Sequence, residues 1–197
     1  AGTGVMSPGD KAGVEIHGSE DWDLFLFANP VEAGKPSKED PNVLYCEAGT
    51  VTDLKTLTLK SGQTLYIEGG AVVKSVLRAL DAPDVTVKGC GILDARGIDA
   101  RGIQFQRTDN LRIEDIVLLN DINWSTFISE SDNVNISNYK VVAVENPNNK
   151  TGCENDALDI LGCRNVTVKG CFGYAHDDVF CIKSQKWTYK GEVKNVL

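Results

Sequence analysis

Four aspartates in the last quarter of the 197-residue chain have the residue type and spacing for acid–base chemistry. Asp156 and Asp159 form one set, the adjacent Asp177 and Asp178 form the other, and a strand-like alternating stretch separates them. Carboxyl groups that lie close together cannot all ionise cheaply, so at least one has a raised pKa. An acid beside an ionised carboxylate is what cleavage of a glycosidic bond requires. Isolated aspartates more often cap turns or hold a structural cation, so the hypothesis needs a fold that brings the two sets together.

A repeated unit supplies such a fold. Five segments open with Asp or Asn, alternate apolar and polar residues, and start 26, 23, 32 and 30 residues apart. They begin at Asp84, Asn110, Asn133, Asn165 and Asn195. Self-similar units of this length with strand patterns and no helical periodicity predict a parallel β-helix, in which successive coils stack.

Aligning the repeats predicts which side chains point inward. One apolar column contains Val87, Ile113, Ile136 and Val168. The neighbouring column, which contains Thr86 and Asn135, is polar, so the alternation has the period of two that a strand requires. We therefore expect the apolar column to form one buried stack.

Two of the six cysteines fall in another apolar column of the repeat. Cys90 and Cys171 are separated there by two intervening coils, or roughly three strand spacings of ~4.8 Å. That distance is too long for a disulfide. The pattern predicts that both are buried, unpaired thiols; the pairing of Cys46, Cys153, Cys163 and Cys181 is left open.

The repeats divide the chain into two parts. Residues 40–197 are predicted to form the β-helix, whereas residues 1–39 contain strand-like segments and a polar, Pro-containing linker without the repeat. The first part is expected to be a cap or the tail of a β-sandwich, because an open β-helix end exposes unpaired strand edges. The final GEVKNVL resembles the opening of a strand, which favours an incomplete β-helix.

Composition argues against several classes of function. The net charge of −8 and the lack of a basic stripe argue against a nucleic-acid partner, and weakly against a strongly anionic polymer. No apolar run reaches the roughly 18 residues of a membrane span. The chain has no CxxC pair and only two histidines, so neither a metal site nor a cofactor is predicted.

The spacing of the two aspartate sets matches the length of one coil. Asp156 and Asp177 are 21 residues apart, which is close to one coil. Residues one coil apart lie about one strand spacing apart, ~4.8 Å. The two carboxylate sets are therefore predicted to be neighbours on one face.

The two aspartate segments resemble the motifs of a known enzyme family. The motifs NDALDI and HDDVFCIKS resemble the NTDGxD and GDDxxxxKS motifs of glycoside hydrolase family 28, the polygalacturonases. The likeness covers roughly residues 40–197, is specific at the aspartates and is looser elsewhere. It implies an all-β, right-handed parallel β-helix of the pectin-lyase type. The segment DLFLFANPVE also resembles family 49, the dextranases, which join a β-sandwich to a similar β-helix.

The resemblance implies an inverting hydrolase with three catalytic aspartates. Asp177 would be the general acid, and Asp156 and Asp178 would hold and activate the attacking water. Asp159 would have a supporting role, and Asn155 would bind the substrate through its polar side chain.

Three further residues are predicted to contact the substrate. Lys183 matches the family's lysine and would touch a hydroxyl or carboxylate of the sugar. His176 replaces the family's glycine; it would hydrogen-bond a sugar or tune Asp177, or it is a surface histidine. Trp124 would stack on a sugar or pack under a loop. The family's later GHG and RxK motifs do not occur in these 197 residues.

The implied substrate is a polysaccharide or oligosaccharide, with pectic glycans first and neutral glucans as the dextranase-like alternative. The implied location is secreted, extracellular or periplasmic. A polysaccharide lyase that binds calcium through the carboxylates and a non-catalytic glycan-binding β-helix remain as alternatives.

Overall fold

The computed structural model describes residues 4–16, 19–144, 154–186, 189–190 and 192–197. Every regular element in these residues is a β-strand, and none of them forms a helix that could cross a membrane. The strands are β1 (Lys11–Ile16), β2 (Ser19–Phe27), β3 (Val43–Cys46), β4 (Val51–Thr58), β5 (Thr64–Ile67), β6 (Val72–Leu80), β7 (Thr86–Lys88), β8 (Ile92–Asp94), β9 (Ile103–Gln106), β10 (Arg112–Glu114) and β11 (Val117–Asn120). They continue with β12 (Thr126–Ser129), β13 (Asp132–Ser137), β14 (Lys140–Ala143), β15 (Leu158–Leu161), β16 (Arg164–Lys169), β17 (Phe172–Tyr174), β18 (Phe180–Lys183), β19 (Gln185–Lys186), β20 (Tyr189–Lys190) and β21 (Lys194–Val196).

The chain divides into two compact units, Ala1–Lys35 and Pro36–Leu197. In the first unit, β1 and β2 pair antiparallel, with an irregularity between Val14 and Ile16. The boundary falls within the polar, Pro-containing stretch that the sequence suggests is a linker. The role of the first unit as a cap or as the tail of a β-sandwich stays a prediction.

The second unit is a right-handed parallel β-helix, which confirms the predicted fold. One parallel sheet has the strand order β21-β16-β13-β10-β7-β5-β3. The other has the order β17-β14-β11-β8-β6-β9-β12-β15-β18, with β4 also paired to β6. From β7 to β18, each coil therefore contributes three short strands. We call the stack β6-β9-β12-β15-β18 the third face.

The predicted inward column is present in the structure. Val87, Ile113, Ile136 and Val168 are register partners in successive strands of the seven-stranded sheet. The first three side chains are 0% exposed and Val168 is half-buried against the core. Burying a side chain of this size stabilises the fold by about 1.5–3 kcal/mol. The stacked apolar columns are therefore a main source of the stability of the β-helix.

The Asp or Asn that opens each repeat has a structural reason. All five residues have positive φ, between 52° and 62°, a conformation that Asn and Asp tolerate better than other residues with side chains. Their side chains also form a ladder along the coils, with contacts Asn110–Asp84, Asn133–Asn110, Asn165–Asn133 and Asn195–Asn165. The repeat is therefore recognisable because one backbone turn is copied from coil to coil.

The predicted thiol column is correct in one respect and wrong in another. Neither Cys90 nor Cys171 forms a disulfide with a described residue, but both are half-buried rather than buried. The Cys171 thiol lies 3.7 Å from the Ile136 carbonyl oxygen and 3.6 Å from that of Lys169. It therefore lies at a corner of the coil, where it can donate weak hydrogen bonds. Cys46, Cys163 and Cys181 likewise form no disulfide with a described residue, and Cys153 lies outside the described residues.

Candidate active site

The third face brings the two aspartate sets together. Strand β15 pairs in parallel with β18, and Leu158 is opposite Phe180, an offset of 22 residues. The Ala157 amide donates to the Asp178 carbonyl oxygen at 2.9 Å. One carboxylate oxygen from each of Asp156, Asp177 and Asp178 lies within 4.8 Å of the others. The stacking register therefore places the two sets in adjacent coils, as the coil length predicts.

The three carboxylates differ in exposure. Asp177 and Asp178 are exposed, whereas Asp156 is 3% exposed. The three carboxylates therefore lie close together but are not equally open to solvent. Asp156 lies in an inner coil, where its carbonyl oxygen accepts a hydrogen bond from the Ser125 amide on one side. The coil that carries Asp177 and Asp178 covers it on the other side.

Lys183 is paired with two of the aspartates. Its ammonium donates to Asp159 Oδ1 at 2.6 Å and lies 3.4 Å from Asp156 Oδ2. Its side chain is 23% exposed, and that of Asp159 is 0% exposed. The Lys183 ammonium is therefore held by carboxylates of the protein, and its contact with a sugar stays a prediction.

The buried aspartates Asp156 and Asp159 have raised pKa values, and burial is the main cause in both. Burial raises the pKa of Asp159 to about 6, although the hydrogen bond from Lys183 opposes the shift. Burial also raises the pKa of Asp156, with a contribution from Asp177 and opposition from Lys183. Burial lowers the pKa of Lys183, but its hydrogen bonds to Asp159 and Cys181 outweigh that effect and the pKa is raised overall. The lysine thus stays charged while the aspartates titrate above their usual range.

Trp124 packs inside the third face. It is 2% exposed and its ring stacks on Phe127 with centroids 5.8 Å apart. The Lys183 ammonium lies 4.5 Å from the Trp124 ring centroid, and the Arg101 guanidinium lies 5.0 Å from it. The predicted direct stacking on a sugar is therefore wrong; Trp124 supports two cations from beneath.

Asn155 and His176 occupy different environments. Asn155 is 2% exposed and its amide donates to the Val144 carbonyl oxygen at 3.1 Å, so it is not an open substrate-binding group. Asn155 is buried because it lies next to Asp156 in the inner coil. His176 is half-buried, with its ring edge-on to Tyr174 at 6.1 Å between centroids. Its role toward a sugar or Asp177 stays a prediction.

Sequence reasoning missed two residues near the aspartates. The Cys181 thiol donates to Asp178 Oδ2 at 3.3 Å, and burial raises the pKa of this thiol. Cys181 is also the register partner of Asp159. Arg101, the second missed residue, precedes Trp124 by 23 positions. Extending the repeat register outward from the aspartates by one and two coils would have found both.

The same carboxylates bear on metal binding. Asp156, Asp177 and Asp178 offer three oxygen ligands, whereas calcium takes six to eight. In a second group, formed by Asp156, Asp159 and Cys181, the Lys183 ammonium already contacts Asp159. That no metal takes part stays a prediction.

Comparison with known proteins bears on the fold. No protein-family model matches the chain, and no curated protein matches it. The structure is similar to a candidate glycosyl hydrolase from Parabacteroides merdae, with a TM-score of 0.59 and 17% identity, over 79% of this chain and 81% of that one. It is also similar to the polygalacturonase from Erwinia carotovora ssp. carotovora, with a TM-score of 0.61 and 16% identity, over 74% of this chain and 50% of that one. The chain thus spans about half of the polygalacturonase, and identities this low establish a shared fold alone.

Proposed function

We propose that this chain is a polysaccharide hydrolase that cleaves glycosidic bonds, with pectic glycans as its substrates. The observation that carries the proposal is the meeting of Asp156, Asp177 and Asp178 from two adjacent coils, with carboxylate oxygens within 4.8 Å. The names of the two structural neighbours, glycosyl hydrolase and polygalacturonase, support the reaction class. Polymeric glycans are met outside the cytoplasm, so the proposal includes a secreted or periplasmic location.

The exposure of the aspartates supports different roles for them. Asp177 is exposed and can approach the glycosidic oxygen, to which it gives its proton as the bond to the anomeric carbon breaks. A water molecule held by Asp156 and Asp178 attacks that carbon and gives its proton to one of the two carboxylates. The raised pKa of Asp156 makes it a stronger base, which suits this role.

Asp159 and Lys183 act behind the reacting groups. Asp159 holds the Lys183 ammonium at 2.6 Å, and that ammonium lies 3.4 Å from Asp156. A positive charge at that distance favours the ionised form of Asp156, which the base requires. Both residues are therefore proposed as positioning residues.

The stereochemical course is a separate question. Inverting enzymes commonly hold their two carboxyl groups roughly 6.5–9.5 Å apart and retaining enzymes about 5–5.5 Å apart. The 4.8 Å limit here concerns one oxygen of each carboxylate rather than the centres of the groups. Inversion is proposed from the family resemblance, and NMR of the first-formed anomer tests it. A retained anomer would instead make Asp156 or Asp178 the nucleophile.

Release of reducing ends from a panel of pectic and neutral glycans tests the reaction. Asp177→Asn should lower turnover by roughly 10²–10⁴-fold, as expected for a lost general acid. Substrate binding should change little, because the loss falls on the transition state. Asp40→Asn, a change at an exposed aspartate in the chain before β3, is the matched control.

Three outcomes of that experiment would contradict the proposal. If Asp177→Asn kept more than about a tenth of wild-type turnover, Asp177 would not be the acid. A product with new ultraviolet absorbance would indicate a lyase. Glycan binding without release of reducing ends would indicate a non-catalytic β-helix.

A further inference from the structure

Two arginines lie on the third face, on the β6 side of the aspartates. Arg78 in β6 is the register partner of Gln104, which pairs with Phe127, which in turn pairs with Asp159. Both neighbours of Arg78 in β6, Leu77 and Ala79, belong to the core, so the arginine side chain points outward. Three strand spacings of ~4.8 Å separate it from Asp159, or roughly 14 Å.

The surroundings of Arg78 are unusual for an arginine. It is half-buried, and its guanidinium donates to the carbonyl oxygens of Leu77 and Arg101 at 2.8 and 2.9 Å. No carboxylate forms an ion pair with it among the described residues. Burial, and then the positive charge of Arg101, lowers the pKa of Arg78. By contrast, three other arginines of the β-helix each bind a carboxylate: Arg96, Arg107 and Arg164.

Arg101 connects this position to the aspartates. Its guanidinium lies 4.4 Å from the Phe127 ring centroid and 5.0 Å from that of Trp124. Trp124 in turn lies 4.5 Å from the Lys183 ammonium, which binds Asp159. A continuous row of contacts therefore runs along the third face from the two arginines to the aspartates.

We propose that Arg78, with Arg101 beside it, forms a subsite that binds a carboxylate of the substrate two to three coils away from the bond that is cleaved. Guanidinium groups bind carboxylates through paired, charge-assisted hydrogen bonds. An anion would relieve the repulsion between the two half-buried cations. A uronic acid chain carries such a carboxylate, and a neutral glucan does not.

This inference rests on the proposed function, because it requires a glycan to lie along the third face. It adds the residues that would recognise the uronate carboxylate and their location on the third face. Beside the aspartates, Lys183 is already paired with Asp156 and Asp159. A substrate carboxylate is therefore more strongly attracted to the arginine end of the third face.

Calorimetric binding of oligogalacturonates tests the subsite, with neutral isomalto-oligosaccharides of equal length as the comparison. The full chain is used with Asp177→Asn, so that the probe is not consumed. Adding Arg78→Gln should weaken oligogalacturonate binding by about 10- to 100-fold, the range for one lost charge-assisted contact, and leave the neutral probe unaffected. Arg112→Gln changes the same charge at an exposed site on the seven-stranded sheet and should have little effect.

A second variant keeps Arg78 in place and protects the test against misfolding. Gln104→Glu puts a carboxylate in the neighbouring strand, in register with Arg78, and should also weaken uronate binding. Equal uronate affinity in the Arg78→Gln and Arg112→Gln proteins would overturn the subsite, even if the wild-type chain hydrolyses glycans. Arg78-dependent uronate binding by a chain that hydrolyses nothing would support the subsite and overturn the proposed function.

Discussion

Replacing Lys183 with methionine should destabilise the β-helix by about 3 kcal/mol at pH 7. The Lys183 ammonium lies 2.6 Å from Asp159, which is 0% exposed and whose Oδ2 has no hydrogen-bond partner among the described residues. Removing one partner of a buried pair typically costs about 3–5 kcal/mol, because an uncompensated charge remains. The lower end applies here, since the lysine side chain is 23% exposed and the carboxyl group can escape by binding a proton.

Because Asp159 can bind a proton, the stability lost in the Lys183→Met variant should depend on pH. Burial already raises the pKa of Asp159 to about 6, and loss of the nearby cation raises it further. The deficit should therefore shrink as the pH falls from about 7 to about 5, because the neutral acid needs no cation. Adding Asp159→Asn to Lys183→Met should recover most of the lost free energy at pH 7 by removing the charge.

Urea unfolding at each pH measures the free energies, and 3 kcal/mol corresponds to a Tm change of about 6–12 °C for a chain of this size. Lys169→Met, at an exposed position of β16, is the matched control. A loss below about 1 kcal/mol at pH 7 is the range of exposed pairs and would refute the reasoning. An equal loss at pH 5 and pH 7 would assign the effect to the contact with Trp124 instead.

The remaining predictions concern the pH dependence of stability, the asparagine ladder and a closely packed glycine. The pKa of folded Asp159, about 6, exceeds the ordinary value, so its contribution to stability is complete below pH ~3.9 and is lost as the pH rises through about 6. Asp159→Asn should flatten that change of up to about 3 kcal/mol in urea titrations; an unchanged slope would contradict the shift. Asn133→Ala should cost about 1 kcal/mol more than Asn133→Gly in urea unfolding, because φ is 57° there; equal costs would assign the whole effect to the ladder. Gly91→Ala should lower the free energy of unfolding by more than about 2 kcal/mol, since its Cβ would lie 2.3 Å from Ile67 Cγ2. Gly69→Ala, whose Cβ meets its nearest neighbour at 3.5 Å, is the control, and equal thermal stability of the two variants would contradict this account.

The sequence predicted those parts of the fold that depend on stacking. A repeat position that is copied from coil to coil must lie next to its counterpart, so Val87, Ile113 and Ile136 form a buried column. The same argument brought Asp156 next to Asp178, although these residues are far apart along the chain. Register is a property of the backbone, and the alternation of apolar and polar residues specifies it.

The side-chain contacts within the site depend on side-chain length and direction, which the repeat does not specify. A lysine is long enough to contact either the substrate or a carboxylate of a neighbouring coil, and Lys183 does the second. The sequence leaves open whether Trp124 stacks on a sugar or packs under a loop, and it is buried, with Arg101 and Lys183 against its ring. Exposure of an outward residue is set by the neighbouring coils, so it cannot be predicted from one repeat alone.

The distribution of charge changes the argument about an anionic substrate. A net charge of −8 argues weakly against a pectic chain, but charges more than about 8–10 Å apart are largely screened at physiological salt. A sugar carboxylate therefore responds mainly to the groups within a few ångströms of it. On the third face Lys183 is paired with two aspartates, whereas Arg78, at the β6 end, forms no ion pair with a carboxylate among the described residues. A uronate chain would be held at that end, which places a bond some two to three coils further along at the aspartates. A neutral chain has no such anchor, and therefore no preferred register for cleavage.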